Sequence, residues 1–166
     1  IAQIETEPER DTIVFTGDGS YLMMNSDIYS SVLSSRKLII IVCDNGGFAV
    51  INKLQTNTGN MPFNNLIADC NIEIPPFAVD FAAHARAMGA AAEEVQSIDC
   101  LRQAFARARA AKSTYVICLK VDAFEGWTKE GHTWWEIGTP SVSNRAEILQ
   151  AHRDVEQGRK RQRVGV

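Results

Sequence analysis

Residues 38–42 constrain the fold more than any other part of the sequence. They read Leu-Ile-Ile-Ile-Val, with no polar residue among them. A strand with one face in water alternates apolar and polar residues, so a continuous apolar strand is covered on both faces. Parallel sheets flanked by helices provide that environment, and antiparallel sheets rarely do. The run therefore predicts a central parallel strand in an α/β protein.

The other predicted strands and helices alternate along the chain. Strand-like segments occupy residues 12–16, 94–98 and 115–121. Apolar residues at helical spacing occupy residues 21–34, 77–88 and 101–108. A last helix is expected after Asn144, which forms a variant capping box with Glu147. The order β-α-β-α-β-α-β predicts a three-layer α/β sandwich, in which a mostly parallel central sheet carries helices on both faces.

Composition excludes several classes of function. The chain has 166 residues, 17 Lys and Arg against 20 Asp and Glu, and a net charge of −3, which argues against nucleic acid as a partner. No apolar run approaches the roughly 18 residues that span a bilayer. The four cysteines are too far apart for a zinc cluster, which indicates a reduced, cytoplasmic protein. We expect one domain over residues 1–166, cut from a longer enzyme.

Two polar loops follow the first two strands. In the first loop, which reads Gly17-Asp-Gly-Ser20, the glycines allow backbone amides to approach a phosphate. Asp18 would repel that phosphate unless a divalent cation such as Mg²⁺ bridges the two. The second loop, Asp44-Asn-Gly-Gly47, follows the neighbouring parallel strand, so Asp18 and Asn45 are expected to face one ion. The simpler alternative is that Asp18 and Asn45 only stabilise turns or helix caps, positions that Asp and Asn both favour. Ser20 is expected to cap the following helix.

Two irregular stretches interrupt the alternation. Residues 56–71 contain five asparagines and Gly59 with little periodicity, and a loop of this length in a compact domain is usually functional or mobile. Residues 124–143 contain all three tryptophans and His132. His132 is the acid–base candidate because histidine titrates near neutral pH, although a structural role is the simpler interpretation. His84 is interpreted as a structural or surface histidine.

The two loops together resemble the cofactor motif of the thiamine diphosphate enzymes, in which GDG is followed about two dozen residues later by a pair of asparagines. The resemblance implies the pyrophosphate-binding domain, with Mg²⁺ held by Asp18, Asn45 and the Gly47 carbonyl. Asp44 departs from the pattern because it stands in place of the first asparagine, which is not a ligand. The implied cofactor-binding residues are Gly17, Asp18, Gly19, Ser20, Asn45, Gly47 and Phe48.

A longer resemblance indicates a subgroup of these enzymes. The strings GDGSYLMMNSDIYSSV, DNGGFAVINKLQ, VDFAAHARAMGA and TWWEIGTPSVS are similar to the carboxy-terminal region of the trihydroxycyclohexane-dione hydrolases of inositol catabolism. These enzymes are hydrolases that open a cyclic 1,2-diketone, a small-molecule substrate, with 5-deoxy-glucuronate as the implied product. The family also implies a pyrimidine-binding domain of the same enzyme, contributed by a second subunit of a homo-oligomer, which 166 residues do not accommodate.

Two alternative functions remain at this point. One is an acetolactate-synthase-like carboligase or decarboxylase. Some decarboxylases place an acid six positions after the metal-binding asparagine, where this chain has Ile51, which disfavours a pyruvate-decarboxylase-like mechanism. The other is a non-catalytic nucleotide-binding α/β module. A Rossmann fingerprint needs GxGxxG, and Leu22 stands where its third glycine would be.

Overall fold

The computed structural model describes residues 4, 6–7, 9–70, 78–125 and 138–162. The chain divides into two compact units, Ile1–Gly47 with Ile74–Asp122, and Phe48–Glu73 with Ala123–Val166. The expectation of one domain over residues 1–166 stays a prediction. The elements in chain order are β1 (Ile13–Gly17), α1 (Asp18–Met24), α2 (Ser26–Leu33), β2 (Ile39–Asp44), α3 (Ala49–Asn57), a 3₁₀ turn (Ile67–Asp69), α4 (Phe81–Ala87), β3 (Ala91–Val95), α5 (Ile98–Ala110), β4 (Tyr115–Lys120) and α6 (Ala146–Arg161).

The four described strands form one parallel sheet in the first unit. Their order is β1-β2-β4-β3, and each neighbouring pair is parallel. The β2 strand lies between β1 and β4, and its residues Ile39 and Val42 have no exposed surface. This confirms the prediction from residues 38–42. None of the helices in the described part of the chain is long and apolar enough to cross a membrane.

Helices cover both faces of this sheet. On one face, Ile40 and Val42 of β2 share a buried cluster with residues of α1, α2 and α4. On the other face, Ile39 and Ile117 pack with Ala104 of α5. Burying such side chains contributes about 1.5–3 kcal/mol for each large aliphatic residue. The predicted three-layer sandwich with a parallel sheet is confirmed.

Element boundaries differ from the prediction at several places; the helix predicted over residues 77–88, for example, is Phe81–Ala87. The third strand is Ala91–Val95 rather than 94–98. Ser97 is instead the N-cap of α5, because its hydroxyl accepts a 3.1 Å hydrogen bond from the Cys100 amide. The helix predicted over residues 21–34 begins at Asp18 and is divided at Asn25. The last helix has Arg145 as its N-cap, without a side-chain cap, so the predicted Asn144 capping box is wrong.

The second unit contains α3, which the sequence analysis did not predict. Asn52 of α3 is buried and donates a 2.9 Å hydrogen bond to Asp69 in the 3₁₀ turn. The Phe48 amide donates to the Asn65 carbonyl at 2.6 Å. Residues 56–70 therefore contain the end of α3, a 3₁₀ turn and several hydrogen bonds, and the residues between these two pieces lie in no helix or strand, as predicted. The functional role expected for this stretch stays a prediction. Asn71 lies outside the described residues.

A close approach of two backbones joins the 58–60 region to α6 within the second unit. Gly59 has φ of +81°, and a Cβ built on it would lie 2.6 Å from the carbonyl carbon of Glu147. The Gly59 carbonyl accepts a 3.2 Å hydrogen bond from Arg145 Nε. Only glycine allows both this backbone conformation and this distance.

Candidate metal and cofactor site

The junction of β1 and α1 places Asp18 at the carboxyl edge of the sheet. Parallel pairing sets Gly17 beside Cys43, so the next residue, Asp18, reaches the end of β2. Asp18 is the first residue of α1 and is 4% exposed. A carboxylate in the first turn of a helix is favoured by the helix dipole. The strand register therefore explains why this side chain meets the second loop.

The loop after β2 is a turn stabilised by the side chain of its own first residue, Asp44. The Gly46 amide donates a 3.1 Å hydrogen bond to Asp44 Oδ1. Gly46 and Gly47 have φ of +81° and +139°, values that L side chains rarely adopt. The Asp44 carbonyl accepts from the Val121 amide at 2.9 Å, which ties the turn to the end of β4.

Asp18, Asn45 and Gly47 converge at this edge. The Gly47 amide donates to Asp18 Oδ2 at 2.6 Å. One end of the Asn45 side-chain amide lies 3.1 Å from Asp18 Oδ1 and 2.8 Å from the Gly47 carbonyl oxygen. The three residues that the sequence analysis assigned as metal ligands are thus neighbours in space.

The orientation of the Asn45 amide determines what these atoms do. With its nitrogen at this position, the amide donates to Asp18 and to the Gly47 carbonyl. With its oxygen there, a carboxylate, an amide and a backbone carbonyl oxygen face one another. Three such oxygens repel unless a cation lies between them, and they are the ligand types that Mg²⁺ prefers. The donor set therefore fits a hard divalent cation.

The electrostatics of Asp18 also favour a cation. Burial raises the pKa of the Asp18 carboxyl above its ordinary value, and repulsion from Asp44 adds to the rise. Hydrogen bonds from the Gly19 and Gly47 amides oppose this rise without cancelling it. A raised pKa means that the fold stabilises the carboxylate charge less well than water does. A bound cation would supply that stabilisation.

Within the described residues, no group of three or more His, Cys, Asp or Glu side chains is placed to hold a metal ion. The candidate site has one such side chain, Asp18, and its other donors are an amide and a backbone carbonyl. Sites of this composition suit an ion that keeps water and phosphate oxygens among its ligands.

Comparison with known proteins identifies the family. Residues 2–119 match the model of the thiamine pyrophosphate enzyme C-terminal TPP binding domain. The chain belongs to the thiamine pyrophosphate enzymes. The matched residues include the β1–α1 junction and the turn after β2, and the resemblance stated from the sequence is confirmed.

Several curated relatives of the chain carry the same name. The 3D-(3,5/4)-trihydroxycyclohexane-1,2-dione hydrolase of Lacticaseibacillus casei is 28% identical over 152 residues, which are 92% of this chain and 23% of the relative. Hydrolase 2 of the same name from Bacillus cereus (strain ZK / E33L) is 30% identical over 151 residues, with 88% of this chain and 23% of the relative covered. The chain spans about a quarter of the length of these relatives.

Solved structures of other thiamine pyrophosphate enzymes have a similar fold. The thiamine diphosphate-dependent 4-hydroxybenzoylformate decarboxylase of Rhodococcus jostii RHA1 has a TM-score of 0.58, is 23% identical, and is matched over 71% of this chain and 21% of its own. The benzoylformate decarboxylase of Polynucleobacter necessarius has a TM-score of 0.61, is 24% identical, and is matched over 74% of this chain and 22% of its own. At this identity the likeness shows the fold alone.

The remaining residues predicted for cofactor binding lie in three places. Gly17 and Gly19 flank Asp18, and Gly17 is the N-cap of α1. Ser20 is exposed in the first turn of α1 and makes no capping hydrogen bond, so its predicted capping role is wrong. Phe48 is the N-cap of α3 in the second unit and is 39% exposed. His132 lies outside the described residues, as do the three tryptophans.

Two features near the site were not recognised from the sequence. Tyr21, buried in α1, has its hydroxyl 3.0 Å from Nδ1 of His84, which ties α1 to α4. This confirms a structural role for His84. The second is the hydrogen bond from the Gly46 amide to Asp44. A sequence signal for it was present, since Asp followed two residues later by Gly is typical of such a turn.

Proposed function

We propose that Asp18, Asn45 and the Gly47 carbonyl hold Mg²⁺, and that this ion binds the diphosphate of thiamine diphosphate. The observation that carries the proposal is the convergence of three oxygen-bearing groups on one point, with the Asn45 amide 3.1 Å from Asp18 and 2.8 Å from the Gly47 oxygen. The raised pKa of Asp18 supports it, because a carboxylate in a site that stabilises its charge poorly gains from a divalent cation.

The residues around the ion have separate tasks in this proposal. Asp18 supplies the charge, and the Gly47 amide holds its second oxygen at 2.6 Å so that the first faces Asn45. Gly17, Gly19 and Ser20 form the wall for the diphosphate. A Cβ on Gly17 would meet nothing nearer than the Cys43 carbonyl oxygen at 4.0 Å, so the first glycine leaves open space that a ligand can use. Phe48 is proposed as a further cofactor contact.

We also propose the reaction of the whole enzyme. The curated relatives are named as hydrolases of trihydroxycyclohexane-1,2-dione, and the proposed activity is hydrolytic carbon–carbon cleavage of that cyclic diketone to 5-deoxy-glucuronate. The cofactor, when bound, supplies the nucleophilic carbon and the electron sink for this cleavage. His132 is the proposed acid–base residue. A pyrimidine-binding domain from a second subunit is proposed to complete the site.

Calorimetry distinguishes this proposal from the nucleotide-binding alternative. The chain is titrated with thiamine diphosphate, NAD or ATP, each with MgCl₂ and each with EDTA. The expected result is binding of thiamine diphosphate that depends on Mg²⁺, and its loss in Asp18→Ala. His84→Ala is the control, since it keeps all three proposed ligands. Binding of NAD or ATP in preference to thiamine diphosphate would contradict the proposal.

Turnover distinguishes the enzyme classes. The full-length protein is assayed with the inositol-derived dione and with pyruvate, and the released acid is identified. Hydrolysis of the dione is expected. Formation of acetolactate or acetaldehyde from pyruvate, with the dione unchanged, would instead identify a carboligase or a decarboxylase.

A further inference from the structure

Asp44 is adjacent to the proposed metal site, but its carboxylate has contacts of its own. It is the last residue of β2, and its side chain is 19% exposed. Its Oδ1 accepts the 3.1 Å hydrogen bond from Gly46, and its Oδ2 lies 3.9 Å from Lys120 Nζ. The strand register sets Asp44 beside Lys120. Both oxygens are therefore directed towards groups other than Asn45 and the Gly47 carbonyl.

The charge of Asp44 nevertheless reaches the site. Its Oδ1 is bonded to the amide of Gly46, the residue between the two proposed ligands Asn45 and Gly47, so the carboxylate lies beside the ligand-bearing turn. Its side chain also interacts with that of Asp18. Lys120 offsets this charge only partly, because its side chain is 72% exposed and water screens it. Asp44 and Lys120 also line a cleft of about 250 Å³. A second negative charge thus remains close to the three converging oxygens.

We infer that Asp44 strengthens divalent cation binding at Asp18, Asn45 and Gly47 through its charge, without being a ligand, and that Lys120 moderates this effect. The inference rests on the proposed metal site. A cation of charge two gains attraction from a nearby carboxylate that does not touch it. The same carboxylate repels a diphosphate that arrives without a metal ion. Asp44 therefore makes capture of the cofactor more strictly dependent on the cation.

The test measures cation affinity in the absence of cofactor. Mn²⁺ is the probe because it takes the same oxygen ligands as Mg²⁺ and its free form gives an electron paramagnetic resonance signal. Four forms of the chain are compared: wild type, Asp44→Asn, Lys120→Gln and Asp99→Asn. Asparagine keeps the oxygen that accepts from Gly46 and removes the charge. Asp99 is an exposed carboxylate on α5 paired with Arg102, and it controls for a general change in net charge.

The expected result depends on charge and on salt. At low ionic strength Asp44→Asn binds Mn²⁺ about three- to tenfold more weakly than wild type, and Lys120→Gln binds about twofold more tightly. Both differences shrink at about 0.5 M salt, where the Debye length is only about 4 Å. Asp99→Asn is unchanged. The unfolding midpoint of metal-free Asp44→Asn is at or above that of wild type, since repulsion with Asp18 is relieved and the turn is kept.

Several results would overturn the inference. Equal affinity of Asp44→Asn and wild type would remove the electrostatic role. Loss of more than about a hundredfold would identify Asp44 as a ligand, and a difference that salt does not reduce would point to a structural effect. A lower unfolding midpoint for Asp44→Asn than for wild type would likewise point to a structural effect. Failure of the wild-type chain to bind Mn²⁺ would contradict the proposed metal site itself, which separates the two failures.

Discussion

The Gly47 amide donates a 2.6 Å hydrogen bond to Asp18 Oδ2, although 29 positions separate the two residues in the chain. This bond joins the β1–α1 junction to the turn after β2, and it leaves the other oxygen of Asp18 facing Asn45. The same residue that fixes the carboxylate with its amide presents its carbonyl oxygen to the site. One glycine therefore positions one proposed ligand and supplies another.

The Asp18→Asn variant is expected to lose metal binding and to gain stability. Because the pKa of Asp18 is raised in the folded state, its contribution to stability is present at pH values below its unfolded pKa and is lost as the pH rises through the native value. At neutral pH the buried charge destabilises the metal-free protein. We expect the variant to melt about 2–4 °C higher, which corresponds to about 1 kcal/mol in a chain of this size.

Scanning calorimetry and Mg²⁺ titration at neutral pH check this prediction. Mg²⁺ affinity is expected to fall at least about tenfold, since a neutral amide replaces the only charged ligand. Asp99→Asn, which removes an exposed carboxylate, should change neither quantity. A variant with a lower melting temperature and unchanged Mg²⁺ affinity would contradict the assigned role of Asp18.

The Gly59→Ala variant is expected to destabilise the second unit. A Cβ at this position would lie 2.6 Å from the Glu147 carbonyl carbon, and φ is +81°. Strain and overlap together should cost about 2–4 kcal/mol. Gly46→Ala is a matched control, because Gly46 also has φ of +81° but no atom within 4 Å of the built Cβ.

Urea unfolding measures both glycine variants. We expect Gly46→Ala to cost about 1 kcal/mol from backbone strain alone. The difference between the two variants then measures the overlap with α6. Equal losses would mean that the 58–60 region moves away from α6 without a penalty, and the close approach would not stabilise the second unit.

The sequence predicted a strand well where burial of both faces requires a continuous apolar run, and poorly where the strand has few apolar residues. Five apolar residues at 38–42 identified β2 because both of its faces are covered. The edge strand β3 contains Ala91, Ala92 and two glutamates, a weak strand signal. Ile98 misled the prediction, since it begins α5 and is 60% exposed.

The helix α3 was missed for a related reason. Its buried residues are Ala49 and Asn52, whereas Val50 and Ile51 are half exposed. Buried polar and exposed apolar residues hide the helical period. In the site, the pairing of Asp18 with Asn45 followed from loops at adjacent strand ends. The position of Lys120 beside Asp44 did not, because it depends on a strand register that joins residues 76 positions apart.

Glu93 is expected to give the protein part of its acid sensitivity. Arg107 donates to both Glu93 oxygens, at 3.0 and 2.6 Å, and Tyr115 donates at 2.6 Å. The Arg107 hydrogen bonds are the main cause that holds the pKa of Glu93 below its ordinary 4.5. The resulting stability is present at pH values above 4.5 and is lost as the pH falls through the lower native value.

Urea unfolding of wild type and Glu93→Gln at about pH 7 and about pH 3 tests this prediction. The wild type should be the more stable of the two at the higher pH, and its advantage should shrink in acid. Glu9→Gln, a change of an exposed carboxylate, serves as the control. An advantage that is the same at both pH values would show that the Glu93 contacts do not act through its charge.

The isolated chain is expected to fold but to show no measurable hydrolase activity. In the proposed enzyme, the surface that holds the pyrimidine ring and the carboxylate that activates it belong to a domain outside these 166 residues. Their positioning and proton transfer supply many orders of magnitude in rate. Dione cleavage by the chain alone at a rate within about tenfold of the intact enzyme would contradict this division of labour.

The location of the ion tests the central claim most directly. Crystals of the chain are grown with MnCl₂ and thiamine diphosphate, and the anomalous scattering of manganese locates the ion. We predict one peak bounded by Asp18 Oδ1, Asn45 Oδ1 and the Gly47 carbonyl, each about 2.1–2.2 Å away, with the Asn45 amide oxygen turned towards the other two. A peak elsewhere, or bound cofactor with no ion at these three oxygens, would contradict the account.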